Sequence, residues 1–333
     1  MRLLVGAVVL LSISLTSAAR HGQGADTAPL RLVSTAWPPF TNDGEPRFAL
    51  DLVDAALGRI GVPAKTSIIE PVRFTPAVLS NAYDGSAALW KDAERERVLL
   101  FSQPYLENRL ILVGRRGEDV SAASLGALKG KRIALVEGYS YGDAIGKSGT
   151  TLVRSTSEEG SLALLLSNKA DYALMDDLVV QFILDHYPVE AKTKLSVGER
   201  SLITRPLYFA VRQARPDAAS IIDRFNGQLR GMIADRTYHR LLHVSWIRAD
   251  IDGDGVTEFV PQSDQSGKTA PEHAYSLFSA DPETAKPVES KSRFYVGGNI
   301  YTDWASVPNR YKVEDPRHPD SARSTASIFR FVW

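Results

Sequence analysis

The stretch that decides the fold is residues 90–105, which read W-K-D-A-E-R-E-R-V-L-L-F-S-Q-P-Y. Charged residues occupy its first half, an apolar triplet follows, and Phe-Ser-Gln-Pro-Tyr closes it before a second hydrophobic run at residues 110–113. A charged helical turn that leads into a buried strand can hold a side chain at the edge of a cleft. The pattern therefore makes Arg95 the first candidate for ligand binding.

Strands and helices alternate on both sides of this stretch. The alternation predicts an α/β fold with a parallel or mixed sheet, in which ligands bind outside the carboxyl ends of strands. Residues 71–74 are predicted to be a loop. Four candidate side chains follow predicted strand ends, namely Trp37, Arg73, Trp90 and Arg95. The predicted strands are residues 30–34, 66–70, 85–89, 172–175, 201–211 and one ending at residue 136; the predicted helices are residues 48–60, 75–80, 162–166 and 218–233.

Composition and charge exclude several classes of function. A chain of 333 residues is too long for one small core, so two compact units with additions are expected. Lys plus Arg and Asp plus Glu number 39 each, so no net charge attracts nucleic acid or an anionic membrane. The chain has no cysteine, which excludes disulfides, thiolate metal ligands and lipidation.

The amino terminus has the pattern of a secretory signal. Arg2 precedes an apolar run at residues 3–15, and small residues follow at 16–19. The run is too short for a membrane-spanning helix, which needs about 20 residues. We therefore predict a signal peptide over residues 1–19 and a soluble periplasmic protein, not inserted in the membrane after cleavage.

The order of the elements predicts two lobes. If the chain leaves the first lobe near residues 113–117 and returns near 201–206, lobe 1 comprises residues 30–114 and 206–247, and lobe 2 comprises residues 115–205. Two such crossings form a hinge with a cleft between the lobes.

Four segments together carry a family resemblance. W-P-P-F, E-R-E-R-V-L-L-F-S-Q-P-Y, L-K-G-K-R-I-A-L-V-E-G-Y-S-Y and A-D-Y-A-L-M-D-D lie in this order within residues 30–247. In order and spacing they resemble the extracellular solute-binding proteins of polar amino-acid ABC transporters, family 3. The resemblance implies the hinged, two-lobed fold of the type 2 periplasmic binding proteins.

The resemblance also implies roles for individual residues. Arg95 matches the residue that holds the ligand α-carboxylate, a task suited to the planar guanidinium. Asp176 matches the carboxylate that pairs with the α-ammonium group. Trp37 matches the aromatic residue that packs on the ligand, and Ser140 the hydroxyl on a helix of the second lobe.

One part of the family pattern is missing here. The strand before the arginine normally supplies small hydroxyls to the ligand, whereas residues 85–89 contain only Ser86 as a donor, and the bulky Trp90 follows. Arg73 is the candidate to compensate for the missing donors, which would favour an anionic or aromatic acid as ligand.

Each of these side chains also has an ordinary structural interpretation. Arg95 lies in a charge run of the kind usually found on a solvated helix face. Asp176 and Asp177 could cap the next helix. Trp37, beside two prolines, could be a packing residue.

Residues 248–262 contain a calcium-type loop. Asp250, Asp252 and Asp254 alternate with Ile and Gly, and Glu258 stands at the ninth position. The carbonyl of Val256 would complete a set of oxygen ligands for Ca²⁺. The twelfth position is proline, so the loop resembles the short dockerin or integrin type. The alternative is an Asp/Gly turn without metal.

Residues 263–333 form a polar linker and an aromatic-rich tail. The aromatic runs at residues 294–304 and 328–333 are too apolar to remain solvated. We expect this tail to pack on the lobes, to form a hairpin about Gly297 and Gly298, or to meet a partner.

The leading hypothesis is an exported binding protein, not an enzyme. It would capture a small polar, zwitterionic or carboxylate ligand between two lobes for an ABC-type transporter or a sensor. Two alternatives remain: a lyase similar to the cyclohexadienyl dehydratases on the same fold, and a calcium-dependent interaction protein with a vestigial cleft.

Overall fold

The structure is a computed structural model that describes residues 28–271, 274–277 and 293–313. The predicted signal peptide and the aromatic run at residues 328–333 lie outside the described residues. Within the described part, no helix is long and apolar enough to cross a membrane.

The described residues alternate between helices and strands, as the sequence predicts. The helices are α1 (Phe48–Arg59), α2 (Pro71–Leu79), α3 (Asp143–Lys147), α4 (Glu158–Leu166), α5 (Asp177–His186), α6 (Pro188–Lys194), α7 (Ala218–Ala234) and α8 (Thr237–Leu242). The strands are β1 (Leu30–Thr35), β2 (Ala64–Ile69), β3 (Gly85–Leu89), β4 (Leu99–Phe101), β5 (Leu106–Arg115), β6 (Arg132–Val136), β7 (Thr151–Ser155), β8 (Tyr172–Asp176), β9 (Leu195–Arg212), β10 (Trp246–Ala249), β11 (Glu258–Pro261), β12 (Tyr275–Ser276), β13 (Arg293–Val296) and β14 (Asn299–Tyr301).

Nine strands form one sheet that runs through both lobes. Their order is β2-β1-β3-β9-β5-β8-β6-β7, with β4 also paired to β9. Strand β9 is 18 residues long and pairs with β3 and β4 at its carboxyl end and with β5 over the rest. The predicted two-lobed α/β fold is confirmed, and β5 and β9 are its two crossing strands.

Strand pairing places the first crossing earlier than the sequence predicts. Antiparallel pairs join β5 to β9 from Leu106–Leu207 to Leu110–Ile203. From Leu110 onward, β5 also pairs with β8 of the second lobe. The chain therefore leaves the first lobe near residues 106–110, upstream of the expected 113–117. The exact lobe boundaries stay a prediction.

Helix α2 differs from the prediction at its beginning. The sequence predicts a loop at residues 71–74, but the helix already begins at Pro71. Proline is tolerated in the first helical turn because its missing N–H would have no partner there. Phe74 and Val78 are buried on the inner face of α2, and Arg73 is exposed.

The residues after the second lobe-1 segment form a five-stranded sheet of their own. Its order is β12-β10-β11-β13-β14, and the antiparallel β13–β14 pair confirms the predicted hairpin about Gly297 and Gly298. Phe294 packs between Phe259 and Trp304, with ring centroids 5.3 and 5.2 Å away. We call this sheet with its connecting segments the extension.

Hydrogen bonds to α8 and to the crossing strand β5 help to attach the extension to the lobes. His239 of α8 lies 2.9 Å through Nε2 from the carbonyl oxygen of Val260. The hydroxyl of Tyr275 donates to the carbonyl of Glu107 in the crossing strand β5, at 3.0 Å. The described part of the tail therefore packs on the lobes and reaches the hinge.

The buried histidine makes stability depend on pH. Burial lowers the pKa of His239 to about 4, so the folded protein keeps the ring neutral where the unfolded chain, with a pKa of 6.5, binds a proton. We expect the free energy of unfolding to fall as pH decreases from 6.5 toward 4. Urea unfolding at pH 7 and pH 5 should show a smaller decrease for His239→Gln than for wild type. His186→Gln in the second lobe is the control, and equal decreases in all three proteins would contradict the assignment.

Candidate functional site

The closed cleft between the lobes contains a cavity of about 20 Å³, enough for the centres of one or two water molecules. It lies at the carboxyl ends of β1, β3 and β6, where the fold predicts a ligand site. Four of the six predicted ligand residues lie in its wall. The lining residues are Thr35, Trp37, Phe74, Ala88, Leu89, Trp90, Arg95, Tyr139, Ser140 and Leu207.

A loop of the second lobe, residues 137–142, fills the rest of the cleft. The hydroxyls of Tyr139 and Thr35 are 3.1 Å apart, and the Ser140 hydroxyl donates to the carboxylate of Asp92 at 2.7 Å. The carbonyl of Gly138 accepts a hydrogen bond from Thr75 at 3.2 Å. We call residues 137–142 the docking loop. Ser140 lies in this loop, ahead of α3, rather than on the helix.

Arg95 is a buried residue and not part of a solvated helix face. It lies on a short 3₁₀ turn and is only 3% exposed. Its guanidinium donates to the carbonyl of Trp90 at 2.7 Å and to that of Gly138 in the docking loop at 3.3 Å. Burial lowers the pKa of Arg95, and Asp92, at 3.4 Å, opposes this effect. Arg95 therefore connects the two lobes.

Asp176 caps α5 and lies behind the cavity wall. Its carboxylate accepts from the backbone N–H of Leu178 at 2.9 Å and of Arg109 at 3.1 Å. Burial, and next the charge of Asp177, raise its pKa well above the ordinary value. A role in binding the ligand ammonium stays a prediction beside the observed capping role.

Trp90 links Asp176 to the cavity. Its indole N–H donates to the side-chain oxygen of Asn108 at 2.8 Å, and the Asn108 amide lowers the pKa of Asp176. The Trp90 ring lies at right angles to that of Trp37, with centroids 5.5 Å apart. Both tryptophans are buried, so their packing role is observed and contact with a ligand stays a prediction.

Arg73 does not reach the cavity. It is exposed on α2 and is absent from the lining residues. That Arg73 compensates for the missing hydroxyl donors stays a prediction, and its position gives this role no support.

Two further charged residues belong to the cleft and were not predicted. Arg205 of β9 donates to the carbonyl of Lys91 at 2.7 Å, and its guanidinium lies 6.0 Å from the ring centroid of Trp90. Glu158 at the beginning of α4 is 6% exposed, and burial raises its pKa to about 8. The position of Arg205 in a predicted crossing was a usable signal. Glu158 carried none, because it precedes the helix predicted at residues 162–166.

The Asp/Gly loop brings its carboxylates together. Ligand oxygens of Asp250, Asp252 and Asp254 lie within 4.8 Å of one another. The guanidinium of Arg293 lies 2.9 Å from Asp252, 2.6 Å from Asp254 and 2.8 Å from the buried Glu258. These oxygen donors fit a hard cation such as Ca²⁺, and the loop already attracts a positive side chain. Calcium binding, including the Val256 carbonyl, stays a prediction.

Two lobes joined by two crossing strands, with a cleft between them, define a two-lobed periplasmic binding protein. The family model of bacterial extracellular solute-binding proteins, family 3, matches residues 31–248, and the chain belongs to this family. None of the curated proteins compared with the chain matches it.

Solved structures of similar fold cover the two lobes. The GluR0 ligand-binding core from Nostoc punctiforme, in complex with L-glutamate, is 23% identical, with a TM-score of 0.54 over 64% of this chain and 97% of that one. An ancestral arginine-binding protein bound to arginine is 24% identical, with a TM-score of 0.55 over 65% and 96%. An arginine transport-system periplasmic binding protein from Legionella pneumophila is 22% identical, with a TM-score of 0.54 over 65% and 98%. At these identities the likeness is one of fold.

Gly138 offers a direct test of lobe docking. It has φ of +83°, and a Cβ there would lie 2.7 Å from the carbonyl oxygen of Pro71 in the first lobe. We expect Gly138→Ala to open the cleft and to increase the radius of gyration in X-ray scattering. Gly130→Ala is the matched control, since Gly130 has φ of +80° and no atom within 4 Å of that Cβ position. Both variants should lose about 1–2 kcal/mol to backbone strain, and an unchanged radius in Gly138→Ala would contradict the docking role.

The calcium prediction is tested with variants of the loop. With a dissociation constant of about 1 mM, 10 mM Ca²⁺ would stabilise wild type by about 1.4 kcal/mol. Thermal unfolding with calcium and with chelator should show this difference, and Asp252→Asn should reduce it. Arg293→Gln should increase it, because the competing positive charge is removed.

Asp43→Asn, at an exposed acid outside the loop, is the control for this experiment. The absence of any calcium effect in both wild type and Arg293→Gln would exclude the site.

Proposed function

We propose that this chain binds a small zwitterionic or carboxylate ligand between its lobes and presents the closed form to a membrane transporter or sensor in the periplasm. The observation that carries the proposal is the buried Arg95 at the lobe interface. Its only partner in the second lobe is the Gly138 carbonyl, among the described residues. Opening of the lobes would remove this partner and leave a guanidinium N–H available for a ligand carboxylate.

The charges around the cleft support an acidic group on the ligand. Arg95 and Arg205 are close enough for Arg205 to lower the pKa of Arg95. Partial burial would raise the pKa of Asp92, but bonds from the Arg95 amide and the Ser140 hydroxyl keep it below its usual value. Asp92 is therefore charged, and together with the charge of Glu94 it opposes the two guanidinium groups. Two adjacent guanidinium groups favour a carboxylate on the ligand.

The second lobe supplies acidic groups to the cleft. Glu158 and Asp176 are both buried carboxyl groups with raised pKa values. A ligand with a positive group on this side would favour their charged forms. A zwitterion placed between the lobes would therefore stabilise closure from both sides.

Thermal unfolding in the presence of candidate ligands tests the proposal. The panel contains L-arginine, L-glutamate, L-glutamine, organic acids, opines and N-methylated amino acids. A ligand at 100 times its dissociation constant should stabilise the protein by about 2.7 kcal/mol. Arg95→Met should abolish the effect, while Arg97→Met, two residues away on the exposed side of the same turn, should retain it.

Two results would contradict the proposal. If no compound of the panel stabilised the wild-type protein, the interaction-protein alternative would be favoured. Product formation from a prephenate-like substrate would favour the dehydratase alternative, for which Glu158, a carboxyl with a pKa of about 8, would be the candidate acid.

A further inference from the structure

Glu158 leaves a polar atom without a partner in the closed cleft. Its Oε2 is buried and has no hydrogen-bond partner among the described residues, and the same is true of Nε1 of Trp37. The Trp37 indole lies on the first lobe and is close enough to lower the pKa of Glu158. A buried polar group without a partner costs free energy comparable to a lost hydrogen bond. A ligand that supplied hydrogen-bonding groups at this place would therefore give both atoms a partner.

Aromatic rings from both lobes surround this place. Trp37 and Trp90 come from the first lobe, and Tyr139 and Tyr141 from the docking loop. The centroid of Trp90 is 5.7 Å from that of Tyr139 and 5.4 Å from that of Tyr141, and Trp37 and Tyr139 are 5.6 Å apart. The rings touch one another in the closed form. Opening of the lobes would separate the two tryptophans from the two tyrosines. We call these four residues the ring cluster.

The negative charge of Glu158 acts on both rings of the second lobe. After burial, its negative charge is the next largest cause of the raised pKa of Tyr139 and of Tyr141. A carboxylate whose charge acts on aromatic rings can attract a cation by charge while the rings attract it by their quadrupole.

The hydrogen-bonding groups select the type of cation. The hydroxyl of Tyr139 is bonded to Thr35, and that of Tyr141 accepts the backbone N–H of Val136 at 3.0 Å. Oε2 of Glu158 is therefore the acceptor in this group without a partner among the described residues. A primary ammonium has three N–H groups to satisfy, whereas an ammonium with two further alkyl groups has one. The alkylated form fits the rings and the single acceptor.

We propose that Glu158 and the ring cluster bind the cationic end of the ligand, and that the ligand is a zwitterion with an N,N-dialkylated ammonium group and a nearby carboxylate. The inference rests on the proposed function, because Arg95 is expected to hold the carboxylate. Arg95 and three of the four rings line the same small cavity, so the two charges are separated by a short chain.

Paired ligands test the choice of cation. Isothermal titration calorimetry compares N,N-dimethylglycine with glycine, and 4-(dimethylamino)butyrate with 4-aminobutyrate. Each methylated compound should bind at least tenfold more tightly than its amine, a difference within the range of cation–π contacts. Equal or tighter binding of the amines would overturn the inference and leave the proposed function intact. Absence of binding by these compounds and by the whole amino-acid panel would instead overturn the proposed function.

Variants test the role of Glu158. Glu158→Gln should weaken binding of the methylated ligand at least tenfold without lowering the unfolding temperature, since the carboxyl is mostly protonated in the empty cleft at pH 7. Trp37→Phe, which keeps a ring but removes the indole N–H, should weaken it less. Glu159→Gln, at the neighbouring acid, is the control and should bind like wild type.

Proton release provides a readout that a purely structural role would not change. Calorimetry at pH 7 in two buffers of different ionisation enthalpy should show release of about one proton when wild type binds the cation. The groups that interact electrostatically with Glu158 are Glu159, Asp176, Tyr139 and Tyr141. Glu158→Gln should abolish most of the release, and Glu159→Gln should not. Full release in Glu158→Gln would assign the proton to another group and overturn the inference.

Discussion

The antiparallel pairing of β5 with β9 is the constraint on which the rest of the structure depends. The first lobe is completed only when the chain has crossed twice, and both crossings lie side by side in one sheet between Leu106–Leu207 and Leu110–Ile203. Because the ladder is continuous, relative motion of the lobes is concentrated in a strip of a few residues. The same strip carries cleft groups, since Asn108 is paired in register with Arg205. Closure and the chemistry of the cleft are therefore linked through the same two strands.

The closed form is held by groups that a ligand would have to replace. The docking loop contributes hydrogen bonds from Tyr139 and Ser140 and the Gly138 carbonyl, each with a net value of about 0.5–1.5 kcal/mol. Contacts of Tyr139 and Tyr141 with the two tryptophans add buried aromatic area. A ligand changes the balance between open and closed forms only by binding them differently. It must therefore restore the partner of Arg95 and the contacts of the rings.

Local sequence patterns were sufficient for most of the fold and for part of the site. The spacing of apolar residues located β1 and α1 within one residue at each end, because each element is decided by its own segment. Arg95 was found from a motif and proved to be buried at the lobe interface. Arg205 was missed because its place depends on the register between distant strands. Glu158 was missed because it precedes the helix predicted at residues 162–166, and its burial is visible only in the folded structure.

The extension contains a cluster of charged residues, the Asp/Gly loop with Arg293, and its sheet reaches the hinge. Arg293 joins β13 to the Asp/Gly loop, where one guanidinium meets carboxylates of Asp252, Asp254 and Glu258. The arrangement leaves excess negative charge, so a bound cation or a change of pH would alter how firmly β13 is held. Since β11 pairs with β13 and β10, and β12 carries the Tyr275 that bonds to Glu107, the loop is joined through one small sheet to the crossing strand β5. Cation binding at the loop can therefore act on the crossing strand through this sheet, and the stiffness of the extension is the physical quantity that would couple it to closure of the cleft.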